Sequence, residues 1–171
     1  MPRRSRRWLH GIPLKGSLSE GRSLCSSRKY CGRTGDRAGP AKIQVLNQAY
    51  AANNDFVNNS SVAYLVSLNG TNVVFLGDMA RSGGENLMAN VDLGALNCTM
   101  VQMAHHGQNG VDYEVYKALR PSVCLWPTPQ WLWDNDNGGG TGTGPWKTQE
   151  TRNWMVRLGV KTISVQRTEI R

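Results

Sequence analysis

The hydrophobic residues of this chain follow two spacings, and their order predicts an α/β domain from about residue 42 onward. Residues 61–68 and 72–76 alternate and are rich in β-branched side chains, which is typical of strands. Asn69-Gly70 between them is a strong signal for a two-residue hairpin turn. The same reasoning predicts further strands at residues 43–46, 100–103, 122–126 and 161–166.

Helices are predicted between the later strands, at residues 84–91, 112–119 and 147–158. Asp112 is well placed as the N-cap of the second helix, and Gly159 as the residue that ends the third. Residues 49–59 and the glycine-rich residues 134–145 are predicted to be loops. A hairpin followed by alternating helices and strands indicates a mixed sheet with helices packed on it.

The first forty residues differ from the rest of the chain in charge and in pattern. They hold ten Lys or Arg residues against two acids, an excess that equals the net charge of +8 of the whole chain. They show no sustained hydrophobic period, so we expect a disordered basic arm at residues 1–40 and a folded domain at residues 41–171. A basic arm of this kind can bind nucleic acid.

The apolar segments and the cysteines bear on the compartment of the protein. No segment approaches the roughly 18–20 apolar residues of a membrane span, and no apolar stretch follows the basic N-terminus as in a secretion signal. The spacing of Cys25, Cys31, Cys98 and Cys124 fits no zinc-finger pattern. We therefore expect a cytoplasmic protein with reduced thiols and no membrane partner.

Candidate chemistry lies where two predicted strands end. Asp78 follows the strand at 72–76 and a glycine, and His105-His106-Gly107 follows the strand at 100–103. Ligands gather at the carboxyl ends of strands in α/β sheets. Carboxylate oxygen and imidazole nitrogen together suit zinc or manganese. A capping role for Asp78 and a packing role for the histidines are the structural alternatives.

These motifs, in this order, resemble the metallo-β-lactamase superfamily. The polar NNSS segment at residues 58–61 leads a hairpin that ends in Gly77-Asp78, and a helix and a strand ending in His105-His106-Gly107 follow. The pattern is most similar to the branch that includes the hydrolase domain of the bacterial DNA-uptake channel protein, and it covers roughly residues 41–166. The resemblance implies an αβ/βα sandwich of two similar halves, of which this domain would be the C-terminal one.

The resemblance also implies an activity. The family site usually holds two metals, bridged by an aspartate that matches Asp78, and water activated by the metals attacks a phosphoryl or carbonyl centre. Asp78, His105 and His106 would be metal ligands for Zn²⁺ or Mn²⁺. The same two histidines are the catalytic candidates, because one of them could donate to the oxygen that gains charge. The implied substrate is a phosphodiester or another ester.

The chain departs from the family pattern at two places. It has no histidine between His10 and His105, so the family's His-x-His-x-Asp-His motif is absent. The region of the last family histidine reads Gly144-Pro145-Trp146. We therefore expect a truncated hydrolase with an incomplete metal site that can lack its metal. The alternative is a non-catalytic module that binds nucleic acid through its basic arm.

Two further expectations concern surfaces. Half of a sandwich would expose an apolar sheet face and so favour self-association. Trp131 and Trp133 flank a proline-bounded segment near the predicted site, where they could line a substrate groove or simply pack.

The sequence DNDNG at residues 134–138 is similar to a calcium loop but lacks the full set of ligands.

Overall fold

A computed structural model of the chain describes residues 34–38, 41–48, 50–51 and 54–166. Within these residues, seven strands form one sheet whose strand order follows the chain. The strands are β1 Thr34–Ala38, β2 Ala41–Val45, β3 Tyr64–Leu68, β4 Thr71–Phe75, β5 Met100–Gln102, β6 Val123–Pro127 and β7 Thr162–Gln166.

The sheet is mixed. Strands β1 to β4 pair in antiparallel fashion, and β4 to β7 pair in parallel. Parallel neighbours need crossover connections, and here each crossover contains helix or 3₁₀ turn. The helices are α1 Phe56–Asn59, α2 Arg81–Asn90, α3 Tyr113–Leu119, α4 Gln130–Trp133 and α5 Thr148–Arg157, with 3₁₀ turns at Leu93–Leu96 and Ala104–Gly107. The predicted α/β class is confirmed.

One face of the sheet carries the hydrophobic core. Side chains alternate between the two faces of a strand, and the buried strand residues belong to one face. Examples are Leu65, Val74, Val101 and Cys124. They form one cluster with buried residues of the helices, namely Leu87, Val115, Tyr116, Leu119 and Met155, and with Val91 directly after α2. The helices that contribute to the core therefore pack on that face.

Three local predictions are confirmed by backbone geometry. Asn69 and Gly70 have φ of 50° and 79°, so the hairpin turn uses the left-handed conformations that its sequence predicts. The side chain of Asp112 accepts a hydrogen bond from the backbone N–H of Tyr113 at 2.8 Å, at the start of α3. Gly159, just after α5, has φ of 70°.

Two local predictions differ from the structure. A disordered arm is predicted at residues 1–40, but β1 at Thr34–Ala38 pairs with β2; residues 1–33 and 39–40 lie outside the described part. An edge strand depends on its neighbour more than on its own hydrophobic period. The loop predicted at residues 49–59 ends in the helical turn α1, because buried Asn59 accepts a hydrogen bond from the backbone N–H of Gly83 at 2.7 Å.

No helix among the described residues is both long enough and apolar enough to cross a membrane. The longest of them, α2 and α5, have ten residues each.

Candidate metal centre

Asp78 and the two histidines lie beside each other, just beyond the ends of β4 and β5. The two strands are parallel neighbours, so they end at the same edge of the sheet. The backbone N–H of His105 donates to the carbonyl oxygen of Gly77 at 3.0 Å. His106 Nε2 lies 3.6 Å from Asp78 Oδ1, and the side chains of His106 and Asp78 are 43% and 46% exposed. The structure thus brings the three predicted site residues together.

The hydrogen bonding of His106 determines which of its nitrogens carries the proton. Its Nδ1 lies 2.7 Å from the carbonyl oxygen of Pro127, at the end of β6. A carbonyl oxygen can only accept, so the proton sits on Nδ1. In the neutral ring, Nε2 then presents a lone pair toward Asp78. This arrangement, with one nitrogen held by a backbone carbonyl and the other directed outward, is the usual one for a histidine that binds metal.

When the His106 ring is neutral, no positive charge lies between its Nε2 and the Asp78 carboxylate. The carboxylate of Asp78 and the Nε2 lone pair are both acceptors, and 3.6 Å is longer than a hydrogen bond. A proton on Nε2 would turn the contact into an ion pair, and a divalent cation would bind to both groups. The geometry therefore favours a positive charge at this position.

His105 is placed differently from its neighbour. The centroids of the two rings are 6.3 Å apart and the rings are tilted by 54°, so they do not stack. His105 Nδ1 is buried and has no hydrogen-bond partner among the described residues. The hydroxyls of Thr128 and Thr148, on the segments after β6 and at the start of α5, share this property. Buried polar atoms without partners cost free energy, so a hydrogen-bonding group bound at any of them would lower that cost.

The backbone of the His105-His106-Gly107 turn is strained. Its three residues have φ of 49°, 57° and 74°, and the left-handed region costs a residue with a side chain about 1–2 kcal/mol. Two contacts with Trp126 hold the turn. The indole Nε1–H donates to the carbonyl oxygen of His106 at 2.7 Å, and the indole ring packs so closely on Gly107 that a Cβ there would overlap it. Strain of this kind is found at functional sites.

Gln102, the last residue of β5, fixes the other half of the site. Its Oε1 accepts hydrogen bonds from the backbone N–H groups of Leu76 and Gly77 at 3.0 and 2.8 Å. Its Nε2 donates to the carbonyl oxygens of Gly77 and Met103 at 3.2 and 2.6 Å. One side chain thus ties the segment that carries Asp78 to the strand that carries the histidines.

Sequence reasoning did not find Gln102, Pro127 or Trp126 as parts of this site. Gln102 stands in an apolar strand, and a polar residue at the end of such a strand is the one signal that could have indicated it. The sequence marks Pro127 only as a strand terminator, whereas its carbonyl oxygen orients His106. The contact between Trp126 and Gly107 depends on the packing of β6 beside β5, which no local pattern reveals.

The described residues supply a small number of metal donors at this position. No group of three or more His, Cys, Asp and Glu side chains that could hold a metal is found among them. Burial raises the pKa of the Cys98 thiol to about 11 and that of Cys124 to about 12, so both core thiols stay protonated at neutral pH. Asp112 is engaged by Arg81 at 3.2 Å. Asp78 and His106 fit a metal as two ligands, and they do not complete a catalytic zinc site.

The tryptophans near the site divide into two kinds. Trp133 packs edge-on against buried Trp126, with ring centroids 5.2 Å apart, and Arg152 covers it at 4.2 Å. Trp131 is half exposed and contacts Trp146 edge-on at 5.0 Å. Trp133 is therefore a packing residue, and Trp131 is the one of the pair that a ligand can reach. In the loop that follows, the Asp136 carboxylate accepts from the backbone N–H groups of Gly138 and Gly140.

No protein-family model matches this chain, and no curated protein matches it. The fold and the site define it as a mixed α/β protein with an Asp–His pair at the carboxyl edge of its parallel strands.

Proposed function

We propose that this chain is a metal-dependent hydrolase of the metallo-β-lactamase superfamily, in which it represents the C-terminal half of the sandwich. The observation that carries the proposal is the pairing of Asp78 with His106. A carboxylate and an imidazole lone pair face each other across 3.6 Å, and the second imidazole nitrogen is anchored on a backbone carbonyl. This is donor chemistry for Zn²⁺ or Mn²⁺.

Each residue has a distinct part in the proposed site. Asp78 and His106 would hold the cation, and Gln102 and Pro127 would keep them in position. His105, fixed through its backbone N–H to Gly77, offers a buried ring nitrogen that can serve as a ligand or donate to a substrate oxygen that gains charge. A metal bound here would supply Lewis acidity and an acidified water for ester hydrolysis.

Two facing donors bind a metal more weakly than the three or four protein ligands of an ordinary zinc site. We therefore expect weak binding of a single ion and low activity from this chain. A phosphodiester or a similar ester is the proposed substrate class. We propose a cytoplasmic location, which is consistent with the free, buried thiols of Cys98 and Cys124.

Hydrolysis of a simple diester tests this proposal. With bis(para-nitrophenyl) phosphate and Mn²⁺ or Zn²⁺, we expect a slow metal-dependent rate that Asp78→Ala and His106→Ala each lower by at least about tenfold. Glu114→Gln is a matched control, since Glu114 is an exposed residue of α3 paired with Lys117. Loss of the rate in the control as well, or no metal dependence at all, would refute the proposal.

A second candidate rests on the charge of the N-terminal segment, where the whole excess of eight positive charges lies. In this alternative the chain binds nucleic acid without catalysis. Replacing Arg3, Arg4, Arg6 and Arg7 by Gln should then lower the slope of log affinity against log salt by up to roughly 0.9 for each phosphate group that is no longer neutralised. A salt slope that the four substitutions leave unchanged would exclude this alternative.

A further inference from the structure

The face of the sheet opposite the core is apolar across five adjacent strands. The strand registers place alternate residues of β2 to β6 on this side, which we call the open face. Ile43 pairs with Val66, Val66 with Val73, and Val73 with Met100. The apolar residues of the open face are Ala41, Ile43, Val45, Tyr64, Val66, Leu68, Val73, Phe75, Met100, Val123, Leu125 and Pro127, and the polar residues Thr71 and Gln102 lie on it at the ends of β4 and β5.

Burial differs sharply between the two faces. On the core face, Val74 and Val101 are completely buried. On the open face, Ile43 and Phe75 are each 36% exposed, Tyr64 is 39% exposed and Leu68 is 43% exposed. The remaining residues of the open face are half-buried by their strand neighbours. The same strands thus present two apolar surfaces, and the helices cover one of them.

The open face has the size and the chemistry of a protein interface. Taking roughly 150–250 Å² as the area of a large side chain, the four exposed residues leave roughly 230–390 Å² of surface, and the half-buried residues bring the total to roughly 500 Å². That is near the upper limit for a patch on a monomeric protein. Two such surfaces would bury roughly 1,000 Å² together, the lower limit for a specific interface. The residues that make up the open face carry no charge, so another apolar surface is the complementary partner.

We propose that the open face is the interface of a symmetric dimer, with a second copy of this chain as its occupant. An isologous contact is satisfied by one self-complementary patch, and two sheets can pack face to face about 10 Å apart. Residues 1–33 are a poor alternative cover, because nine of them are Lys or Arg and only one is acidic. This inference does not depend on the proposed metal ligands Asp78 and His106, which lie beyond the ends of the strands.

Sedimentation velocity of the full chain over a range of concentrations tests the dimer. We expect a monomer–dimer equilibrium in the micromolar range, consistent with a small apolar interface. Tyr64→Lys and Phe75→Lys, which replace a cross-strand pair at the open face, should each weaken dimerisation by at least about tenfold. Leu68→Lys, near the hairpin turn, is a third variant should either of these fail to fold.

Val156→Lys is the matched control. Val156 is 73% exposed on α5, on the helical side of the sheet, so the same charge there should leave dimerisation unchanged. A monomer at every concentration, or assembly that continues past the dimer, would overturn the proposal. Equal weakening by Val156→Lys would overturn it too. Metal has no part in the measurement, so its outcome is separate from that of the hydrolase assay.

Discussion

The Asn69-Gly70 turn and the His105-His106-Gly107 turn both use left-handed backbone, but different interactions maintain them. The first joins antiparallel strands, and a Cβ added at Gly70 would meet nothing within 4 Å. The second follows a parallel strand and is enclosed by Trp126, Gly77 and Pro127. Asn and Gly adopt this conformation readily, whereas histidine does so at a cost.

The difference separates a turn formed by local preference from one imposed by tertiary contacts. In the hairpin, the sequence and the backbone agree, and little strain is stored. In the histidine turn, strain at His105 and His106 is offset by the hydrogen bond from Trp126 to the His106 carbonyl oxygen and by the hydrogen bond to Pro127 that directs the His106 ring toward Asp78. Conformational strain that orients a polar pair is a reason to assign function to that pair.

Replacing the glycine of each turn by alanine should give the largest difference in stability between the two turns. Gly107→Ala forces a Cβ into the Trp126 indole at φ of 74°, so we expect it to destabilise the fold by at least about 3 kcal/mol. Gly70→Ala meets open space at φ of 79° and should cost about 1 kcal/mol. Urea denaturation of both variants measures the difference. Equal costs would mean that Trp126 does not hold the turn.

Removing the Gln102 side-chain amide should have the next largest effect. Gln102→Leu leaves the N–H groups of Leu76 and Gly77 without their acceptor, at about 2–4 kcal/mol of stability. Gln102→Glu retains acceptors but cannot donate to the carbonyl oxygens, so its cost should be intermediate. Thermal unfolding ranks the stability of the unmodified protein, Gln102→Glu and Gln102→Leu. A neutral Gln102→Leu would show that this side chain does not position Asp78.

The single hydrogen bond from Trp126 should contribute less. Trp126→Phe keeps much of the aromatic packing and removes the donor to the His106 carbonyl oxygen. We expect a loss of about 1–2 kcal/mol by urea denaturation, because that carbonyl then lacks its indole donor. Trp154→Phe on α5 is a suitable comparison, since Trp154 lies at the margin of the core. A smaller loss for Trp126 than for Trp154 would argue against the assigned hydrogen bond.

The smallest expected effect on stability is a gain and not a loss. His105→Gly relieves the left-handed strain and removes a buried Nδ1 that has no partner among the described residues, so we expect it to stabilise the fold by up to about 1 kcal/mol. A surface truncation such as Asn69→Gly should be nearly neutral. Urea denaturation measures both changes. Clear destabilisation by His105→Gly would indicate that the His105 ring contributes packing and not a site.

Patterns with a local physical cause predicted most of the fold. The hairpin, the Asp112 cap and the Gly159 terminus follow from the preferences of single residues, and the structure has all three. β1 and α1 escaped prediction because pairing with β2 and the buried contact of Asn59 stabilise them, not a hydrophobic period of their own.

The site was predictable in part for the same reason. Asp78 and the two histidines stand directly after apolar strands, which marks them in the sequence, and parallel pairing of those strands brings them together. The orientation of His106 depends on a carbonyl from a third strand, twenty-one residues away. A backbone carbonyl has no sequence signature, so that part of the site required the structure.

The most direct test of the Asp78–His106 metal pair is a Zn²⁺ titration followed by NMR of the histidine side-chain nitrogens. The metal-free protein should show His106 with its proton on Nδ1, and Zn²⁺ should shift its Nε2 resonance. Asp78→Asn should weaken that binding by at least about tenfold, and Glu114→Gln should leave it unchanged. A His106 proton on Nε2, or Zn²⁺ binding that does not depend on Asp78, would contradict the assignment of a metal pair.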